Sequence, residues 1–239
     1  MHSSHPFPVA ILAGGMATRL RPISENIPKS LVEVAGQPFV IRQLRYLGTQ
    51  GIDRAVLCVG HLGEQIEAIV GNGSEFGLQV TYSFDGPKLL GTGGALRQAL
   101  PLLGEYFFVL YGDSFLPVDF GSIQQAFVAS RRPALMTVLR NGDRWDKSNV
   151  LFLNGQLVEY NKHAPRSDME YIDYGLGVLA VSTLKDYASD QVFDLADVYY
   201  RLSSAGQLAG YEVFTRFYEI GSHAGLREAE DYFLNRGQA

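Results

Sequence analysis

Four short runs, "PVAILA", "RAVLCVG", "QVTYSF" and "YFFVLYGD", constrain this chain more than anything else in it. Each is rich in Val, Leu, Tyr or Phe and is flanked by Gly or Asp, so each reads as a strand buried on both faces. Between them lie "QPFVIRQLRYLGTQG", with Val40, Leu44 and Leu47 on one helical face, then "GEQIEAIVG" and "TGGALRQALPLLG", each closed by glycine. A βαβαβ series of this kind predicts an α/β fold, Rossmann-like, with a mixed, mostly parallel central sheet and helices on both faces.

The second half changes character. "SNVLFLNGQLVEYNK" predicts a hairpin turning at Asn154-Gly155, and "YIDYGLGVLAV" a further long strand. Asp194 reads as the N-cap of "LADVYYRLSSAG", "AGYEVFTRFYEIG" returns as strand, and "SHAGLREAEDYFLNR" closes as a helix. No Pro/Ser linker, low-complexity tract or repeat interrupts the 239 residues. The expectation is one domain over 1–239, with a nucleotide-type half at about 8–115 and a mixed-strand half at about 116–239 completing the site.

A net charge of -5 speaks against a polyanion-binding face, so no nucleic-acid partner is expected and any phosphate chemistry must be local. The single cysteine, Cys58 in "RAVLCVG", allows no internal disulfide and reads as a small apolar strand residue. The leader "MHSSHPFPVA" has no basic stretch ahead of a long apolar run, and His2 and His5 read as decoration of a polar lead. Neither a signal peptide nor a membrane partner is expected, and the cytoplasm is the expected compartment.

In open α/β sheets the ligand crevice lies at the carboxyl ends of the strands. Three stretches stand there: Gly14-Gly15 with Arg19, Arg21 and Lys29, then "LLGTGGAL", then "YGDS". Paired glycines admit a ligand close to the backbone and aim N–H groups at phosphate oxygens, and an arginine can fork onto an anion. "AGGMATR" lacks the G-x-G-x-x-G spacing of a dinucleotide loop, and Lys29 lies too far on for a Walker lysine. The loop alone is also compatible with a tight turn carrying solvent-facing cations, the weaker of the two readings. Asp113 follows an apolar strand, where it could share a hard cation with substrate phosphates, and Glu219 in "RFYEIGS" is an available partner.

Taken together, "AILAGGMATRLRP", "IPKSLVEVAGQP", "LLGTGGAL" and "YGDS", in this order, resemble the sugar-1-phosphate nucleotidyltransferase family. The resemblance runs from Val9 to about Phe233, and the chain looks most like the mannose- and heptose-1-phosphate guanylyltransferase branch. It implies that Leu12, Ala13, Gly14 and Gly15 line a nucleotide, with Arg19 and Lys29 on its triphosphate. Gly91, Thr92, Gly93 and Gly94 would hold base and ribose, and Asp113 would be a Mg²⁺ ligand with Glu219 as the second. Lys162 would contact the sugar phosphate, beside Gly112, Asp173 and Gly175. Three departures stand out: Ala17 replaces a family glycine, Glu219 stands where most relatives have Asp, and Lys162 lacks a following proline.

The implied reaction is transfer of a nucleoside monophosphate from an NTP, GTP by the branch resemblance, to a sugar 1-phosphate, with small molecules as the partners. Uridylyl, adenylyl or thymidylyl specificity stays open, as does monomer against homodimer. His61, His223, Trp145 and Tyr199-Tyr200 read as hydrogen-bonding or packing residues first. Two rivals keep part of this picture: a regulatory nucleotide-sugar binder of the same fold, suggested by Glu219, and a glycosyltransferase, which "GDSF" disfavours for want of a D-x-D motif.

Overall fold

The computed structural model describes residues 5–15, 20 and 26–236. In chain order the first half holds β1 (Val9–Leu12), the small hairpin β2 (Glu33–Val34) and β3 (Gln37–Pro38), α1 (Phe39–Thr49), β4 (Arg54–Val59), α2 (Gly63–Val70), β5 (Gln79–Phe84), α3 (Gly91–Ala99) and β6 (Tyr106–Tyr111). The second half continues with β7 (Ser114–Phe115), α4 (Phe120–Ser130), β8 (Ala134–Arg140), β9 (Val150–Leu153), β10 (Gln156–Tyr160) and β11 (Tyr171–Ala180). It ends with α5 (Leu195–Ser204), β12 (Leu208–Val213), β13 (Tyr218–Glu219) and α6 (His223–Arg236).

β5, β4, β1 and β6 lie side by side and parallel, and β11 runs antiparallel along β6. β8 follows antiparallel to β11, and β12 pairs parallel with β8. The β9–β10 hairpin joins the same sheet through Val150 beside Tyr171. Its turn residues Asn154 and Gly155 have φ of 52° and 75°, the left-handed pair a two-residue hairpin requires. The expected mixed, mostly parallel sheet is what forms.

The continuous apolar runs are explained by burial on both faces. Along β1, Val9 and Ile11 face the core under α1, α2 and α4, whereas Ala10 faces the core under α3 and α5. Helix α1 contributes Val40, Leu44 and Leu47, each at most 1% exposed. Burying such a side chain is worth roughly 1.5–3 kcal/mol, far more than helix propensity supplies. A third cluster ties α6 to the loops beside the cleft through Val34, Phe39, Phe115, Ile220 and Ala229.

Two elements exceed the sequence reading. Helix α4 is started by Asp119, whose carboxylate accepts from Ser122 N at 2.9 Å. Strand β8 is buried at every position except its last and occupies the middle of the second half's sheet. The segment expected as one returning strand is divided: β12 joins the large sheet, and β13 pairs instead with β7.

Candidate functional site

β1 lies between β4 and β6, so the chain switches direction across it and opens a crevice at the carboxyl ends. A cavity of about 380 Å³ fills that crevice. Leu12 to Gly15 enter it from β1, Cys58 from β4, Asp85 from beyond β5, and Tyr111 to Asp113 from β6. The post-strand segments keep the sheet's pairing: Ala13 N donates to Cys58 O at 2.8 Å, and Gly112 N to Leu12 O at 2.9 Å.

Lys29 opens a single helical turn behind Pro28, and its Nζ lies 2.5 Å from Asp113 Oδ2. The lysine side chain is 15% exposed and the aspartate 33%, so the pair sits in the cavity wall with its carboxylate toward the opening. Ser114 Oγ holds the other carboxylate oxygen at 3.2 Å. Arg19 and Ala17 lie outside the described residues.

β13 brings Glu219 opposite Ser114, and Ile220 N donates to Asp113 O at 2.9 Å. The Glu219 carboxylate turns into its own bend, accepting from Gly221 N and, at 3.0 Å, from Ser222 Oγ. A Cβ on Gly221 would overlap that carboxylate and come within 3.1 Å of Lys29 Nζ, so a larger residue there would have to displace both side-chain ends. Among the described residues no cluster of three or more metal-ligating side chains exists. The β7–β13 pairing brings together two carboxylates, Asp113 and Glu219, whose oxygens would suit a hard divalent ion completed by phosphate oxygens and water once they exchange their protein donors.

The second glycine loop divides by function. Gly91 and Thr92 line the cavity, whereas the amides of Gly93 and Gly94 donate to Phe193 O at 3.0 and 3.3 Å. Gly91 has φ of 74°, and a Cβ there would stand 2.6 Å from Phe193 O. Thr92 Oγ1 donates to Asp194 Oδ1 at 2.8 Å, and Asp194 also caps α5 by accepting from Ala196 N at 2.9 Å. Asp194 Oδ2 then lies 3.8 Å from Lys162 Nζ. One carboxylate thus connects the glycine loop to the lysine expected at the sugar phosphate, a link the sequence reading missed because 102 positions separate Thr92 and Asp194.

Asp173 completes this side. Burial pushes its carboxyl up to about 6, against the opposing pull of the Gly175 N–H at 2.9 Å and of Lys162. Burial also raises the Tyr111 phenol well above its ordinary value, with the Asp173 and Asp194 carboxylates adding to the effect. For Asp194 burial acts upward, but the Ala196 N–H, the Thr92 hydroxyl and Lys162 outweigh it and leave the carboxyl below its usual range. Asp85, also absent from the expected site, faces the cavity with its carboxyl raised by burial and accepts from Leu90 N at 3.1 Å. Its position just past a strand end was the available signal.

Residues 9–148 match the nucleotidyl transferase family. The chain belongs to that family. Its similar proteins include the N-acetylmuramate alpha-1-phosphate uridylyltransferase of Neisseria meningitidis serogroup B, 40% identical over 111 residues, which are 46% of this chain and 48% of the relative. The D-glycero-alpha-D-manno-heptose 1-phosphate guanylyltransferase of Campylobacter jejuni is 35% identical over 48% of this chain and 51% of its own. The glucose-1-phosphate thymidylyltransferase of Streptomyces antibioticus is 37% identical over 68% of this chain and 47% of its own. The chain thus spans about half the length of these curated relatives.

Among solved structures, HddC from Yersinia pseudotuberculosis complexed with GMP-PN superposes with a TM-score of 0.78 over 95% of this chain and 99% of that one, at 23% identity. A Bacillus anthracis protein described as a putative glucose-1-phosphate thymidylyltransferase reaches 0.83 over 94% of each chain, at 21% identity. These likenesses establish the nucleotidyl transferase fold across both halves of the sheet.

Proposed function

We propose that this nucleotidyl transferase family member moves a nucleoside monophosphate from an NTP to a sugar 1-phosphate, and that the NTP is GTP. The observation that carries the reading is the Lys29–Asp113 pair set in the wall of a glycine-lined cavity at the strand ends. In this reading a sugar-phosphate oxygen attacks the α-phosphorus of the NTP. The bond from that phosphorus to the bridging oxygen breaks, and its electron pair leaves on pyrophosphate. A phosphate monoester is already largely a dianion, its second pKa being ~6, so no general base is needed.

The chain's own residues bind and orient. Gly14 and Gly15 leave room for the nucleotide backbone-close, Lys29 and Arg19 balance charge on the departing phosphates, and Lys162 aligns the attacking phosphate. Asp113 and Glu219 would hold Mg²⁺, which when bound neutralises phosphate charge as a Lewis acid. Tyr111, Asp173 and Gly175 border the sugar. Guanine is favoured by the Campylobacter relative and by the HddC complex, while the uridylyl and thymidylyl relatives define the competitors to be tested. We further place the activity in the cytoplasm, in a single nucleotidyltransferase domain with two substrate-binding halves, with neither nucleic acid nor membrane as a partner.

Pyrophosphate release by the purified chain, across GTP, UTP, dTTP, CTP and ATP with hexose and heptose 1-phosphates, tests this directly. Release that is fastest with GTP and lost on chelation is expected. Equal or faster release with another NTP overturns the guanylyl assignment, and no release with any pair overturns the transfer reading. One observation favours a second reading, a nucleotide-sugar-binding regulatory subunit: Glu219 spends its carboxylate on Gly221 N and Ser222 Oγ. Tight nucleotide-sugar binding without turnover would select it.

A further inference from the structure

Gln43 stands on the buried stripe of α1 with Val40, Leu44 and Leu47, and it is 2% exposed. Its Nε2 donates to Tyr111 O at 2.9 Å and to Ser114 O at 2.8 Å. Those two carbonyls bracket Gly112 and Asp113, so a single amide grips both ends of the segment that carries the carboxylate. The amide's orientation is fixed by chemistry, because an oxygen in place of the NH₂ group would face two carbonyl oxygens. Its own Oε1 is buried and has no hydrogen-bond partner among the described residues.

A buried glutamine must be desolvated, a cost that an apolar side chain on the same stripe would avoid, so stability alone does not call for it. What an apolar side chain cannot do is hold Tyr111 and Ser114 at a fixed separation. α1 also packs against the turn that carries Lys29, and Phe39 N, at its start, donates to Val32 O at 3.0 Å. Gln43 therefore joins the element behind Lys29 to the segment bearing Asp113.

We propose that Gln43 is a positioning residue: its amide clamps the Tyr111–Ser114 segment so that the Asp113 carboxylate stays on Lys29 and toward the cleft. The inference rests on the reading of that cleft as the transfer site. It acts on geometry at the reacting phosphates and leaves the base and ribose contacts alone.

Gln43→Met keeps the length and removes the donors, and Gln43→His keeps one N–H. Two readouts are taken on the full chain: amide hydrogen exchange of the segment 111–115, and steady-state kinetics normalised to folded protein. For Gln43→Met, exchange in 111–115 should rise about tenfold or more while β1 and α1 exchange as in the parent. Turnover should fall about 10- to 100-fold, the range expected for a misplaced reacting group, with the KM for NTP within about threefold. Gln43→His should fall between the two, and it carries the measurement if the Met variant does not fold. Unchanged exchange in 111–115, or a lowered Tm with unchanged turnover per folded molecule, overturns the proposal. Should the parent release no pyrophosphate with any substrate pair, the transfer reading fails, and the exchange result alone still decides for or against the clamp.

Discussion

Lys29 Nζ and Asp113 Oδ2 lie 2.5 Å apart although 84 positions separate them in the chain. Each comes from a short element held by others, the lysine by the turn after Pro28 and the aspartate by the bend between β6 and β7. At this separation, and with partial burial, the contact is a charge-assisted hydrogen bond that fixes both groups. Lys29→Ala and Asp113→Asn should each reduce turnover roughly 10²-fold, in line with loss of one preorganised charge contact. Because the pair acts as a unit, the double variant should fall far short of the product of the two losses. Single-turnover rates for the three variants check this, and strict multiplicativity would show that the two residues act independently.

Much of this arrangement was legible in the sequence, and the reasons differ by residue. Ala13, Gly14 and Asp113 stand just past the apolar runs of β1 and β6, and the sheet gathers such positions at one edge; Lys29, Gly91 and Thr92, legible from their Pro-Lys and Gly-Thr-Gly-Gly motifs, line the same cavity. Gly93 and Gly94 share the motif but not the cavity, since motif spacing does not say which side of a helix entry meets the ligand; the approach of Phe193 decides that. Gln43 was hidden in an amphipathic pattern, though a glutamine on the buried stripe with Val40, Leu44 and Leu47 is itself a signal. The Thr92–Asp194–Lys162 link had no local trace, because side-chain contacts over such distances follow from tertiary packing alone.

Asp194 has two separable jobs, capping α5 and facing Lys162. Asp194→Asn keeps an oxygen for Ala196 N and Thr92 Oγ1, whereas Asp194→Ala keeps neither. The alanine variant should lose ~1 kcal/mol, about 2–4 °C in Tm, and the asparagine variant much less. An exposed ion pair at 3.8 Å is worth at most ~1 kcal/mol, so the KM for sugar phosphate should move less than about fivefold in Asp194→Asn. Thermal unfolding and substrate titration of both variants separate the two jobs. A larger KM change would mean that Asp194 touches substrate itself.

Gly15 and Gly91 should respond oppositely to alanine. Among the described residues a Cβ on Gly15 meets nothing within 4 Å, and Gly15 lines the cavity, so Gly15→Ala should leave Tm within about a degree and raise the KM for NTP. Gly91 combines φ of 74° with Phe193 O at 2.6 Å from a built Cβ, so Gly91→Ala should lose ~2 kcal/mol or more. Calorimetry of the pair is the check. Equal stability of the two variants would mean that the α3 entry relaxes without strain.

Asp173 links pH to stability with a definite sign. Its carboxyl is raised from 3.8 to about 6, chiefly by burial, so folding favours the protonated form. Its contribution is therefore most favourable below about pH 4, weakens as pH rises toward 6, and is fully lost above that, where the carboxylate must be held in a desolvated site. Asp173→Asn keeps an oxygen for Gly175 N and removes the charge. Its Tm should exceed that of the parent above pH 6, by about 2–4 °C for each kcal/mol recovered, and the difference should vanish near pH 4. The same substitution should weaken sugar-phosphate turnover if the carboxylate reads a sugar hydroxyl, so stability and activity move in opposite directions at pH 7. Tm measured from pH 4 to 8 for parent and variant tests the sign, and a Tm gap that does not change with pH would show that Asp173 does not titrate in this window.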